Sequence, residues 1–250
     1  MGLESESIHV RESLIAALRD ARSVAVLTGS GVSAESGVPT FREAQTGLWA
    51  RFDPEELATP EAFARDPRLV WEWYTWRREL VDMADPNPGH EALAELESLV
   101  PQFVLITQNV DGLHRRAGSR NVVELHGNIW RSKCSREGVV VEPRADDTEV
   151  PPSCPRCAAS LRPDVVWFGE ALPADALGEA FEAAHSCDLF LSVGTSGLVQ
   201  PAASLPFEAL QAGAVVVEVN PDETPLTRHV QYTLRGSAGT VLPALVDSIR

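Results

Sequence analysis

The sequence predicts an α/β protein in which a doubly wound parallel sheet carries a smaller inserted module. Three observations lead there. Short apolar runs alternate with amphipathic helical stretches along most of the chain. Small polar motifs close several of those runs, at the edge where open α/β sheets bind ligands. A polar, proline-rich stretch, 128–164, interrupts the alternation and holds three of the four cysteines.

The elements follow in order. Residues 7–21 place Ile8, Leu14, Ile15 and Leu18 at helical spacing. Val24–Leu27 is a short buried strand, followed by a loop from Gly29 to Trp49 with room for a short helix. Thr59-Pro60 with Glu61 reads as an N-cap, a proline at the first helical position and an acid in the first turn. A helix over 67–84 is rich in aromatics: Trp71, Trp73, Tyr74 and Trp76. Asn87-Pro-Gly punctuates before a helix at 89–99 and a strand at 103–106. Further strands are expected at 122–125, 165–168, 188–193, 215–219 and 230–234, with the parallel sheet resuming at Val165 after the insert. Helices are expected near 175–185, 204–212 and 239–249.

Composition narrows the function classes. The 250 residues suit one large α/β domain with a small satellite. A formal charge of −15 disfavours nucleic acid and anionic membranes as partners. It suits basic peptide segments, or solubility alone. Lys133 is the only lysine. No apolar run is long enough to span a bilayer, and the N-terminal residues lack a basic-then-apolar leader, so a cytoplasmic protein is the expectation. In that setting Cys134 and the pair Cys154-Pro-Arg-Cys157 point to metal rather than disulfides. Cys187 starts a core strand and reads as a small buried side chain.

Four motifs share the ligand edge: Thr28-Gly-Ser-Gly, Thr107-Gln-Asn-Val-Asp111, Gly194-Thr-Ser and Asn220-Pro-Asp. Gly29 and Gly31 would let the backbone approach a phosphate. Ala34 stands where a dinucleotide fingerprint wants its third glycine, and no acidic strand end follows some twenty residues on, so a simple dehydrogenase fits poorly. The amides and carboxylate of TQNVD suit ribose hydroxyls or a carboxamide. His126, in Glu124-Leu-His-Gly127, is the side chain at this edge suited to proton transfer near neutrality. His90 and His114 read as structural or peripheral.

Taken in order, GSGVSAESGVPTFR, TQNVDGLH, LHG, the cysteine module, RPDVVWFGE, GTS and VNP resemble the sirtuins, NAD-dependent protein-lysine deacylases, over nearly the whole chain. Ser30 departs from the family's usual alanine. The resemblance implies a Rossmann-like NAD domain (1–42, 87–127 and 165–250), a helical insert (43–86) and a small zinc-ribbon-like module (128–164). It implies that Gly29, Ser30, Gly31, Ser33, Phe41, Arg42, Trp49, Gln108, Asn109, Val110 and Asp111 line the NAD site. Gly194, Thr195 and Ser196 would hold pyrophosphate and ribose, and Asn220, Pro221, Asp222 and Ala238 the adenosine end. Asn109 would also serve catalysis, with His126 as general base. In the implied chemistry the acyl oxygen attacks C1′ of the nicotinamide ribose and expels nicotinamide. A ribose hydroxyl, deprotonated through His126, then attacks the acyl carbon. The products are lysine, nicotinamide and O-acyl-ADP-ribose. An NAD or ADP-ribose sensor and a mono-ADP-ribosyltransferase are the alternatives on the same fold.

The acylated lysine of a protein or peptide would lie along Val166, Trp167, Phe168 and Gly169, adding as a strand. Tyr74 and Arg77 are three apart on one helix face. Spacing alone favours an aromatic core stripe with a solvated arginine. The sirtuin branch with this pair, and a small residue such as Ala58 nearby, binds acidic acyl groups, which implies desuccinylation or demalonylation beside deacetylation. The family's structural zinc takes four cysteines, but position 137 here is Glu137. Either Cys134, Cys154 and Cys157 bind zinc with another donor, Glu137 among the choices, or the module folds without metal.

Overall fold

A computed structural model describes residues 10–39, 53–144, 146 and 148–250. The chain runs through α1 (Glu12–Asp20), β1 (Ser23–Thr28), α2 (Pro54–Leu57), α3 (Pro60–Arg65) and α4 (Pro67–Asp82). It continues with α5 (Pro88–Leu99), β2 (Gln102–Thr107), α6 (Leu113–Arg116), β3 (Val122–Glu124), β4 (Gly127–Cys134) and β5 (Leu161–Val165). Last come α7 (Ala174–Ser186), β6 (Leu189–Val193), α8 (Leu205–Ala212), β7 (Val215–Val219), β8 (Tyr232–Leu234) and α9 (Ala238–Asp247). No helix among the described residues is long and apolar enough to cross a membrane.

Six strands form one sheet in the order β3-β2-β1-β6-β7-β8, every pairing parallel. This is the doubly wound architecture the alternation predicts. Strand β1 shows why short apolar runs suffice. Val24 and Val26 point into one core layer with Leu14, Leu93, Leu96 and Leu245, while Ala25 and Leu27 point into the other with Ala180, Phe190 and Leu205. Period two along the strand therefore feeds both faces, and each leucine or valine buried contributes about 1.5–3 kcal/mol. The order reverses between β1 and β6, which opens a crevice beyond their carboxyl ends.

The helices before the site start by one device. Asp53, Thr59, Asp66 and Asn87 each precede a proline and accept a hydrogen bond from a backbone amide of the first turn. The proline supplies a helical φ where no N–H is needed, and the side-chain oxygen satisfies an orphan donor. The first three of these helices, α2–α4, pack as a third cluster, in which Phe63, Trp73 and Tyr74 meet Ile129, Val165 and Trp167.

One strand expectation is corrected. Val165 does not resume the parallel sheet. It ends β5, which pairs antiparallel with β4, Gly127 facing Val165 and Cys134 facing Leu161. Residues 166–168 then run on outside any sheet, tied by the Val166 amide to the His126 carbonyl and by the Phe168 amide to the Ala58 carbonyl, both 2.9 Å. The apolar triplet is buried at Val165 and Trp167 against α3 and α4 rather than between strands.

Candidate active site

The crevice is built first from glycines. A Cβ on Gly29 would lie 2.8 Å from the Gly194 oxygen, and one on Gly31 2.7 Å from the same atom. Gly194 itself has φ +58, and a Cβ there would lie 2.6 Å from the Val32 nitrogen. The turns after β1 and β6 thus touch backbone to backbone, with Gly29 N–H donating to the Val193 carbonyl and Gly31 N–H to the Gly194 carbonyl. Only glycine lets them close this far.

The polar side chains of β2's carboxyl end lock onto that floor. Gln108 Nε2 donates to Thr195 Oγ1 at 3.0 Å. Asn109 Nδ2 donates to the Gly29 carbonyl and to Ser33 Oγ, both 3.1 Å. Ser33 Oγ passes its own hydrogen to Asp111 Oδ2 at 2.8 Å. Burial raises the Asp111 carboxyl above its ordinary range, against the Leu113 amide and Ser33 hydroxyl that favour its anion. Asn220 Nδ2 donates to the Thr195 carbonyl at 2.9 Å, joining the β7 end to the β6 turn. Val110 turns the other way: its carbonyl takes the Ile129 amide and ties this loop to β4.

His126 follows β3, and its half-buried ring is oriented by one bond. Nδ1 lies 2.9 Å from the Gln108 carbonyl. A carbonyl only accepts, so Nδ1 carries the proton and Nε2 keeps its lone pair. Burial lowers the ring's pKa, with the Gln108 carbonyl opposing, so His126 is neutral and basic at neutral pH.

The structure links half of the expected NAD-site set at this edge: Gly29, Gly31, Ser33, Gln108, Asn109, Asp111, Gly194, Thr195 and Asn220 are joined by the bonds above. Ser30, Ser196, Pro221 and Asp222 lie exposed around it. Ala238 is buried at the first position of α9, whose start is held to the β1 loop by Glu35, which accepts from Ser237 Oγ at 2.7 Å and the Gly239 amide at 2.6 Å. Phe41, Arg42 and Trp49 lie outside the described residues.

Two histidines set aside by the sequence reading lie directly beneath the site. His90 Nε2 stands 3.4 Å from Ser33 Oγ, and His114 Nε2 2.9 Å from Thr28 Oγ1. They are structural in that both are buried, but they brace Ser33 and the end of β1. Asn87 adds a further brace, donating to the Val32 carbonyl at 2.7 Å and Ser36 Oγ at 3.0 Å. The Asn87-Pro-Gly-His90 cap was the visible signal: its side chains serve the neighbouring loop as well as the helix.

Beside the crevice, Ala58, Tyr74 and Trp167 share one buried cluster. The Arg77 guanidinium lies 5.1 Å over the Trp73 ring and 5.9 Å from the Tyr74 ring. Burial lowers the Arg77 pKa, with Tyr74 and Asp111 opposing, and raises that of Tyr74. Val166 is half-buried, Phe168 is exposed, and Gly169 turns the chain at φ +83.

The ligand atoms of Cys134, Cys154 and Cys157 lie within 4.8 Å of one another. The Glu137 amide lies 3.4 Å from Cys134 Sγ, an N–H···S contact that favours a thiolate. The donor set fits three corners of a tetrahedral thiolate site. The Glu137 carboxylate is turned aside to Arg156, 2.8 Å away, and is not gathered with the sulfurs. Cys187 is buried in the core, where desolvation pushes its thiol up to about 11 and keeps it protonated.

A crevice at the switch point of a doubly wound sheet, with glycine-bared backbone and an oriented neutral histidine, defines a nucleotide-binding site equipped for proton transfer. A profile of the Sir2 family matches residues 29–201. A relative named NAD-dependent protein deacylase from Aquifex aeolicus (strain VF5) is 53% identical, over 91% of this chain and 95% of its own. A solved Sir2 homolog–NAD complex is 49% identical with a TM-score of 0.89, covering 99% of this chain and 96% of that one. A Sir2–p53 peptide–NAD+ structure is 30% identical with a TM-score of 0.83, covering 96% and 98%. The chain belongs to the Sir2 family.

Proposed function

We infer that the protein is an NAD-dependent protein-lysine deacylase that consumes NAD as a co-substrate. Relatives of that name match along almost the full chain, and a structural neighbour is a complex with NAD. Within this chain one observation carries the reading: the Gln108 carbonyl fixes His126 with its basic Nε2 bonded to no partner among the described residues, and the locked Ser33–Asn109–Asp111 network adjoins Gln108. A base so fixed suits removal of a proton from a ribose hydroxyl, which can then attack the acyl carbon after nicotinamide has left. The parallel sheet would hold NAD, and β4–β5 with α2–α4 would close the substrate side.

Acylated lysine would enter along 166–169. The Val166 carbonyl, which accepts from no donor among the described residues, is the partner offered to the acyl-lysine N–H. Tyr74 and Arg77 favour acidic acyl groups, because a half-buried guanidinium walled by aromatic rings gains from an anionic ligand. Cys134, Cys154 and Cys157 would hold zinc on three corners. Bound there, the ion would supply folding energy to the β4–β5 module.

The test incubates NAD with acetyl- and succinyl-lysine peptides and follows peptide mass. Loss of the acyl group is expected. An unchanged mass marks a sensor, and a gain of ADP-ribose marks a transferase. For the acyl pocket, Arg77→Met should lower kcat/KM for the succinyl peptide about tenfold or more relative to the acetyl peptide, the scale of a lost charge-assisted hydrogen bond. An unchanged ratio removes the carboxylate clamp.

A further inference from the structure

We propose that Trp167 is a specificity-determining positioning residue: its indole N–H fixes the Tyr74 phenol as a hydrogen-bond donor toward the acyl group. The inference rests on the acyl-pocket reading above and deepens it.

Trp167 Nε1 donates to Tyr74 Oη at 2.9 Å, and both side chains are almost fully buried, at 2% and 1% exposure. A phenol hydrogen prefers the ring plane, which leaves it two positions. The indole N–H occupies one side of the oxygen, so the phenol's own hydrogen must lie on the other. Among the described residues the one hydrogen bond at Tyr74 Oη is the one it accepts from Trp167. Burial keeps the phenol protonated. Tyr74 therefore presents a donor and not an acceptor, next to the Arg77 guanidinium, which also only donates. Two converging donors select an acyl tail that ends in an acceptor, a carboxylate. They discriminate against its isostere ending in a carboxamide, whose N–H₂ meets a donor.

Trp167 is itself held rigidly. The Arg162 guanidinium stacks on its ring, 3.2 Å from the centroid. Arg162 in turn forks onto both Glu170 carboxylate oxygens, at 2.5 and 2.9 Å, and donates to the Val165 carbonyl at 2.8 Å. Glu170 Oε2 also accepts the Trp167 backbone N–H at 2.9 Å. Phe63 supports the ring at 5.4 Å between centroids. The indole cannot swing away without breaking this clamp, so its N–H stays on the phenol.

The experiment uses the full chain and compares succinyl-lysine with succinamoyl-lysine (the carboxamide isostere) in one peptide. The readout is the ratio of their kcat/KM values, together with KM and kcat for each. The wild type should favour succinyl. Trp167→Phe keeps a ring for Arg162 but removes the N–H, and should lower that ratio about fivefold to tenfold, mostly through KM. Tyr74→Phe should lower it similarly, and the double variant no further, since both act through one bond. A merely structural role would slow both substrates equally and leave the ratio where it was, which overturns the proposal. A wild type with no preference for succinyl over succinamoyl overturns the acyl-pocket reading and this inference with it. A wild type that prefers succinyl while Trp167→Phe keeps its ratio overturns the inference alone.

Discussion

Acid should weaken this fold through His90. The ring is fully buried, and desolvation lowers its pKa from 6.5 to about 4. Its hydrogen bonds require the neutral form. Ser33 Oγ spends its hydrogen on Asp111, so His90 Nε2 must be the donor toward Ser33. The other nitrogen, Nδ1, accepts the Asn87 amide at 3.3 Å. Protonating Nδ1 would abolish that bond and bring a cation against the His114 ring, 4.8 Å away. The sign is fixed. Between pH 6.5 and about 4 the unfolded chain binds a proton at this position and the native chain does not, so stability falls as pH falls. The whole displacement is worth about 3 kcal/mol, and roughly 2 kcal/mol of it is lost by about pH 5. Urea unfolding of the wild type and of His90→Gln, each at about pH 8 and pH 5, isolates the effect. Glutamine can still accept the Asn87 amide but does not titrate. The variant should start less stable at the higher pH and lose roughly 2 kcal/mol less on acidification. Parallel pH dependences for the two proteins would refute the argument. His114 has the same sign, since burial and the neighbouring His90 hold its pKa well below the usual value.

Two further outcomes follow from the geometry. Gly127→Ala should cost about 3 kcal/mol or more and lower Tm by calorimetry, because φ is +79 and the added Cβ would lie 2.1 Å from the Asp164 carbonyl oxygen. Glu137→Cys should retain zinc longer against a chelator than the wild type, by metal release with a colorimetric indicator. It offers a fourth thiolate where the wild type turns its carboxylate to Arg156.

Much of this was legible in the sequence, and the rest was hidden for identifiable reasons. The parallel strands announced themselves because burial on both faces makes them continuous apolar runs. Strand β4, GNIWRSKC, did not, since it is polar along half its length and its partner is about thirty residues away. Val165-Val-Trp looked like one more core strand because a short apolar run reads alike whichever elements bury it. Tyr74 was weighed as core against acyl pocket: its ring is buried in the third cluster, as the core reading expects, and its oxygen is bonded to Trp167. The histidines were read as structural or peripheral, and they are structural; which loop they support was hidden because burial is a tertiary property. Nothing adjacent to His90 in sequence says that Ser33, fifty-seven positions earlier, lies against its ring.

The glycine turn shows how far a motif can be read from spacing. In a dinucleotide fingerprint the third glycine permits a helix to pass closely over the strand. Here no α-helix starts directly after β1 among the described residues. The chain makes two short 3₁₀ turns, Ser30–Val32 and Ala34–Ser36, and Ala34 is exposed. A third glycine would have nothing to pack against. The two that are present meet the Gly194 backbone instead, so their first task is to close the β1 and β6 turns on each other. The loop they begin is then pinned by Asn87 from α5 and by Glu35 to the start of α9. A loop fixed at its base and at these two points, rather than a helix, is what leaves Ser33 facing Asn109 and Asp111 across the crevice. The absent glycine thus reflects an architecture in which the segment after β1 forms a loop wall of the crevice rather than a helix packed over the strand.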